Sequence, residues 1–255
     1  MYILDTKGVS KHFGGIKAVE GVSFKIRGNS IASIIGPNGA GKTTLFNCLT
    51  GISKPSKGQI HFMDRDISGL PPHEVAKLGI ARTFQNIRIF PDMTVIENVM
   101  VAQHSRIRYG LLSAILRSNK FRSREASMRE KAYEFLQLTG LQDFAGTYAG
   151  ILPYGSRRRL EIARALATEP EIILLDEPTA GMNPSETQDV MNLIKKIREL
   201  GKTVIIIEHD MRLVMGISDW IVVLDHGIKI AEGPPEKVKN DSLVIEAYLG
   251  KEMKH

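Results

Sequence analysis

One cysteine, Cys48, among 255 residues leaves nothing to form an internal disulfide. A lone thiol suits a reducing compartment, and its place after a glycine-rich loop reads as a small buried apolar residue. Long hydrophobic runs are scarce as well. Ile172–Leu175, Val204–Ile207 and Ile221–Leu224 are strand-sized, far short of the roughly 20 apolar residues of a membrane span. The opening residues MYILDTKG lack the charged start and apolar stretch of a signal peptide, so a soluble chain is expected. Neither an internal repeat nor a low-complexity linker interrupts the sequence. The composition is 43% hydrophobic, enough for a substantial core in one domain with subdomains or in two small domains.

Basic charge is present but confined. Lys and Arg number 34 against 28 Asp and Glu, a formal net charge of +6. Between residues 104 and 131, Arg106, Arg108, Arg117, Lys120, Arg122, Arg124, Arg129 and Lys131 face only Glu125 and Glu130, which accounts for the whole surplus. That confinement argues against a nucleic-acid-binding surface spread over the protein. The segment reads either as a solvated helix-and-loop face or as a surface for anionic lipid headgroups or an acidic partner.

Hydrophobic patterning changes along the chain. Tyr2–Ile26 holds short alternating segments separated by Gly14, Gly15 and Gly21, which read as strands joined by tight turns. Gly58–Met63 alternates in the same way. From Pro71 to about Ala149 the character is helical, with helices expected over His73–Leu78, Val95–Gln103 and Arg122–Leu138. Beyond Leu160, continuous aliphatic strands alternate with amphipathic helices over Ser185–Leu200 and Met211–Ser218. That alternation implies a parallel sheet covered on both faces.

Gly36-Pro37-Asn38-Gly39-Ala40-Gly41-Lys42-Thr43-Thr44 has the spacing G-x-x-x-x-G-K-[ST] of a P-loop. Its glycines let backbone N–H groups turn inward around an anion. Lys42 is expected on the β- and γ-phosphates of a nucleotide and the Thr43 hydroxyl on Mg²⁺. The flanks agree, with a buried strand over Ser30–Ile35 and a helix over Thr44–Thr50 aimed at the phosphates.

Four further elements complete a constellation. Ile172–Leu175 leads into Asp176 and Glu177, two acids at a strand tip, where open α/β sheets bind ligands. Asp176 suits a Mg²⁺ partner, directly or through water, and Glu177 suits the orientation or deprotonation of an attacking water. His209 follows another aliphatic strand and Glu208, within reach of a γ-phosphate. Gln85 precedes the helical stretch, where its amide oxygen could coordinate Mg²⁺ or its amide could hold the nucleophilic water. Leu152-Pro153-Tyr154-Gly155-Ser156 opens a helix whose small residues offer N–H groups to an anion, although composition alone allows an ordinary capped helix.

In this order, the elements resemble ATP-binding-cassette (ABC) ATPases over nearly the whole chain. The resemblance implies a P-loop NTPase of the α/β class in a single domain over 1–255. It would have a parallel-sheet core, an antiparallel N-terminal β subdomain and a helical insertion at about 86–160. Gln85 matches the Q-loop, His209 the switch histidine, and Phe13 the aromatic that stacks on adenine, with Val19 beside it. Tyr154, Gly155 and Ser156 fall in the signature loop, usually L-S-G-G-Q. Three departures from the usual pattern matter: Pro153 replaces Ser, Ser156 replaces Gln, and Asn183 stands where the D-loop carries Asp.

The stretches Thr43–Gly51, Arg82–Gln85, Arg158–Arg164 and Glu208–Asp219 are similar to the ATP-binding subunit of branched-chain amino acid importers. That similarity implies ATP and Mg²⁺ as ligands and pairing with a second ABC ATPase subunit, the same or a related chain. It also implies two transmembrane permease subunits, indirect service to a periplasmic solute-binding protein, and a peripheral place on the cytoplasmic face of the inner membrane. No nucleic-acid partner is expected. Related cassettes serve urea uptake or lipopolysaccharide export, and a nucleic-acid-associated ABC ATPase shares the core motifs.

Overall fold

The computed structural model describes residues 1–103 and 119–249. Half of the basic segment, residues 104–118, and the chain end from 250 lie outside the described residues. In chain order the strands are β1 (Tyr2–Phe13), β2 (Ile16–Arg27), β3 (Ile31–Ile35), β4 (Lys57–Phe62), β5 (Arg65–Asp66), β6 (Ile80–Arg82), β7 (Ile172–Asp176), β8 (Thr203–Ile207), β9 (Trp220–Asp225) and β10 (Ile228–Gly233). The helices are α1 (Lys42–Leu49), α2 (Pro72–Leu78), α3 (Val95–Gln103), α4 (Asn119–Thr139), α5 (Tyr154–Leu166), α6 (Pro184–Glu199), α7 (Met211–Ile217), α8 (Pro235–Lys239) and α9 (Ser242–Leu249).

The chain divides into two compact units. The first comprises Met1–Arg82, Glu171–Ala180 and the chain from Ile194 onward, and it contains both sheets. One sheet has the order β2-β1-β4-β5 and is antiparallel. The other has the order β10-β9-β3-β8-β7-β6, parallel throughout except for the edge strand β10. All five residues of β3, β7 and β8 are buried, which is why their sequences are aliphatic without alternation.

The N-terminal strands differ from expectation at one point. Gly14 and Gly15 form the hairpin turn, whereas Gly21 lies inside β2. The β1–β2 register shifts around Ser10, and its side-chain Oγ accepts the Gly21 N–H at 2.9 Å. A local irregularity with a substitute hydrogen bond thus carries the chain through without a turn. Val22, Phe24 and Ile26 keep the strand's inward face buried beyond it.

In the second unit, Thr83–Pro170 and Gly181–Leu193, helices α3, α4 and α5 enclose a separate core. Val95 and Val99 from α3, Ala132 and Leu136 from α4, and Leu160 and Ala163 from α5 are all fully buried. The expected insertion at 86–160 falls inside this unit. Its core includes Ala167, just after α5, and the unit runs on to Pro170.

Cys48 sits on α1 in the core of the first unit, 1% exposed. Burial raises its thiol from an ordinary 9.0 to about 11, because low-dielectric surroundings disfavour the thiolate. At pH 8 native protein should alkylate with iodoacetamide at least about ten-fold more slowly than urea-unfolded protein, and equal rates would refute this burial. The raised value also stabilises the fold below pH 9.0, a contribution lost as pH climbs toward 11.

Candidate functional site

β3 runs directly into the glycine loop. At Gly36 the backbone adopts φ of 151°, and a Cβ there would lie 2.0 Å from the Leu224 carbonyl oxygen on β9. No other residue fits. Gly39 and Gly41 also have positive φ, at 83° and 93°, and Ala40 between them is buried. Successive turns of this kind make a concavity of N–H groups suited to an anion.

α1 starts two residues earlier than its expected helix, at Lys42, with no side-chain cap and no acidic residue in its first turn. Its opening N–H groups are therefore not satisfied by a capping side chain of their own. The Lys42 side chain is buried and bends back over the loop, donating to the Gly36 and Pro37 carbonyls at 2.6 and 3.0 Å. Asn38 and Thr43 are exposed, and Thr44 is half-buried.

The register of the parallel sheet aligns the remaining groups. Ile34 of β3 pairs with Ile207 of β8, which pairs with Asp176 of β7. Gly36, Glu177 and Glu208 with His209 therefore leave the sheet at the same edge, within about 10 Å across two strand spacings. Asp176 is 4% exposed, and its Oδ2 accepts from Arg82 Nη2 at 2.8 Å.

Glu177 has φ of 46°, although it carries a full side chain. The left-handed conformation is uncommon for such a residue and costs about 1–3 kcal/mol, which surrounding structure must offset. Here its N–H donates to the Ile207 carbonyl at 3.0 Å and its own carbonyl accepts from Ala180 at 3.2 Å. The carboxylate stands 3.9 Å from Nδ1 of His209, a side chain 62% exposed.

Glu208, noted in the sequence only as an acid before His209, holds this turn. It is 1% exposed, and its Oε1 accepts from the Thr179 hydroxyl at 2.6 Å and the Thr179 N–H at 3.3 Å. Its other oxygen, Oε2, accepts from the N–H of His209 at 3.1 Å. One buried carboxylate thus ties the 177–180 turn to the histidine loop. The available signal was an acid directly after an aliphatic strand, where burial requires partners.

Phe13 ends β1 with half its surface exposed, and Lys11 Nζ lies 4.9 Å from its ring centroid. Val19 is fully buried, its strand placing it in the core of the first unit. Its Cγ2 would lie 3.3 Å from a Cβ placed on Gly41, so it backs the phosphate loop and presents no open face.

Gln85, Tyr154, Gly155 and Ser156 belong to the second unit. The Gln85 side chain is exposed, while its backbone carbonyl accepts from Arg158 Nη2 at 3.0 Å. Arg158, 1% exposed, also donates to the Phe84 carbonyl and to Glu161, and Glu161 accepts from the Phe84 N–H. This buried pair clamps the Gln85 loop by its backbone, a role that the sequence alone did not reveal.

Tyr154 opens α5 behind Pro153 and is 46% exposed. A Cβ on Gly155 would lie 2.6 Å from Glu186 Oε1, so a larger residue there would require the Glu186 carboxylate to move. Ser156 is buried, and its Oγ accepts from Arg159 at 3.2 Å. Asn183 and Glu186 cap α6 reciprocally, each side chain accepting the other's N–H, at 3.0 and 3.1 Å. Capping asks for a short side-chain acceptor, which Asn supplies as well as Asp.

The hydroxyl of Thr43, the carboxylate of Asp176 and the amide of Gln85 are all hard oxygen donors, the kind Mg²⁺ prefers. Among the described residues no cluster of three or more His, Cys, Asp or Glu side chains could hold a metal ion.

Residues 19–180 match the ABC transporter family, and residues 229–254 match the branched-chain amino acid ATP-binding cassette transporter family. Over 249 residues, 97% of this chain and 98% of the relative, the sequence is 49% identical to the high-affinity branched-chain amino acid transport ATP-binding protein BraF of Pseudomonas aeruginosa. The structure superposes with a TM-score of 0.85 on the ADP conformation of MJ1267, an ATP-binding cassette of an ABC transporter, at 35% identity over 98% of this chain and 99% of that one. A dimeric post-hydrolysis state of the cassette MJ0796, bound to ADP and Pi, matches with a TM-score of 0.77 at 29% identity, covering 91% and 98%. With a family model matching well over half of the chain and near-half identity to BraF across almost the full length of both proteins, the chain belongs to the ABC transporter family of ATP-binding proteins.

Proposed function

We propose that this chain binds and hydrolyses ATP to drive import of branched-chain amino acids, as a peripheral subunit on the cytoplasmic face of a membrane transporter. The observation that carries the chemistry is the common edge of β3, β8 and β7. There the loop with Lys42, the Asp176–Glu177 tip and His209 converge in one unit. The transport assignment rests on identity near one half with BraF across almost the full length of both chains.

In this reading the loop amides and Lys42 bind the β- and γ-phosphates, and an arriving phosphate replaces the loop carbonyls that Lys42 now contacts. Phe13 offers an exposed face on which adenine stacks. Thr43 and Asp176 hold Mg²⁺, with Gln85 as a further oxygen donor, and the metal supplies charge neutralisation at the transferring phosphoryl group. Glu177 orients and deprotonates the attacking water, its backbone set by the left-handed turn. His209 steadies the γ-phosphate across from it.

Tyr154, Gly155 and Ser156 act on a partner's nucleotide. A second ATPase subunit, the same chain or a related one, therefore completes each site, consistent with the dimeric cassette among its structural relatives. Among the described residues no helix is long and apolar enough to cross a membrane. In this reading two permease subunits supply the pathway and a solute-binding protein delivers the amino acid to them.

Glu177→Gln should lower phosphate release about 100- to 10,000-fold, the usual contribution of a positioned base, while ATP still binds. Turnover near the wild-type rate would remove Glu177 from that role. Lys42→Ala loses charge-assisted hydrogen bonds of about 1.5–3 kcal/mol, so calorimetry should show nucleotide affinity reduced about ten-fold or more. Unaltered affinity would contradict the assignment. Reconstituted in vesicles with its permeases and binding protein, the chain should support ATP-dependent uptake of leucine, isoleucine and valine but not urea. Vigorous ATP hydrolysis without uptake of any of the three would overturn the substrate.

A further inference from the structure

Asp176 is engaged before any metal arrives. Arg82, the last residue of β6, reaches it through Nη2 at 2.8 Å, with the two side chains only 6% and 5% exposed. The other terminal nitrogen, Nη1, donates to Asn47 Oδ1 at 2.7 Å and to Thr50 Oγ1 at 3.3 Å. The ring of Phe46 lies 5.5 Å from the guanidinium carbon. One planar fork thus holds α1 on one side and the tip of β7 on the other. A lysine, a single point of charge, could not span both.

Asn47 follows Thr43 by four residues, so the two share a face of α1. Arg82 is therefore tied at once to the helix that presents the Thr43 hydroxyl and to the carboxylate of Asp176. Stability does not account for this arrangement. A buried ion pair gains little over apolar residues of similar volume, whereas apolar side chains could not fix the orientation of a carboxylate. We propose that Arg82 is a positioning residue for the divalent metal. It sets the rotamer of Asp176 and its distance from α1 in advance, as partners of metal ligands commonly do. The proposal rests on the reading of Thr43 and Asp176 as metal donors.

The test uses the full chain carrying Glu177→Gln, so that ATP is not consumed. Mn²⁺ serves as the probe, titrated by electron paramagnetic resonance at saturating ATP, and ATP affinity is measured separately by calorimetry in EDTA. Arg82→Lys keeps the charge and loses the fork. It should weaken Mn²⁺ binding about 10- to 100-fold and leave metal-free ATP affinity unchanged. Asn47→Ala retains the ion pair, removes its anchor on α1, and should weaken Mn²⁺ binding in the same direction. Should Arg82→Lys fail to fold, Asn47→Ala decides the matter alone. Unchanged Mn²⁺ affinity overturns the role of Arg82, and so does an equal loss of ATP affinity in EDTA, which signifies a damaged loop. If the parent binds ATP but takes up no Mn²⁺ with it, the metal reading of Thr43 and Asp176 fails, and the role of Arg82 falls with it.

Discussion

The pairing of Ile34 with Ile207 and of Ile207 with Asp176 is the constraint on which the rest of the first unit depends. Parallel strands leave their sheet in the same direction, so one register decides which residues emerge together. Because side chains alternate along a strand, a slip of one residue in β7 would exchange the faces of Asp176 and Leu175. Burial of every residue in β3, β7 and β8 makes such a slip costly. The aliphatic core therefore does more than stabilise. It fixes the level at which the glycine loop, the two acids and the histidine leave the sheet.

Buried charge serves a different purpose in this molecule. Arg82–Asp176, Arg158–Glu161 and the Glu208–Thr179 contact each withdraw polar groups from water and satisfy them with several partners. Replacing such groups by well-packed apolar side chains is often neutral or favourable for stability. Their common feature here is location. Each holds a segment at or beyond the end of a regular element: the tip of β7, the backbone around Gln85, and the turn after Glu177. A hydrophobic contact resists separation but permits sliding, whereas a directed hydrogen bond fixes orientation. The same need explains why Glu177 tolerates a left-handed backbone: hydrogen bonds to Ile207 and Ala180 hold both sides of its peptide.

Two of the departures from the usual signature and D-loop pattern have local partners. Asn183 works as a helix cap with Glu186, and the Glu186 carboxylate lies against Gly155. Ser156 faces inward toward Arg159.

By itself the sequence determined the class of fold and most of the nucleotide site, because both are written in local patterns. Continuous aliphatic runs specify buried parallel strands, and the spacing of Gly36, Gly41 and Lys42 specifies an anion cradle whatever surrounds it. Gly21, Glu208, Arg82 and Asn47 were not legible in that way. Whether Gly21 makes a turn depended on a hydroxyl eleven residues earlier. Arg82 meets Asp176 across 94 residues of chain and Asn47 across 35. Spacing along the chain carries no information about such meetings. They were decided only when strands β6 and β7 paired and α1 packed against them, since hydrogen bonds between distant residues exist only once the backbone has brought them within reach.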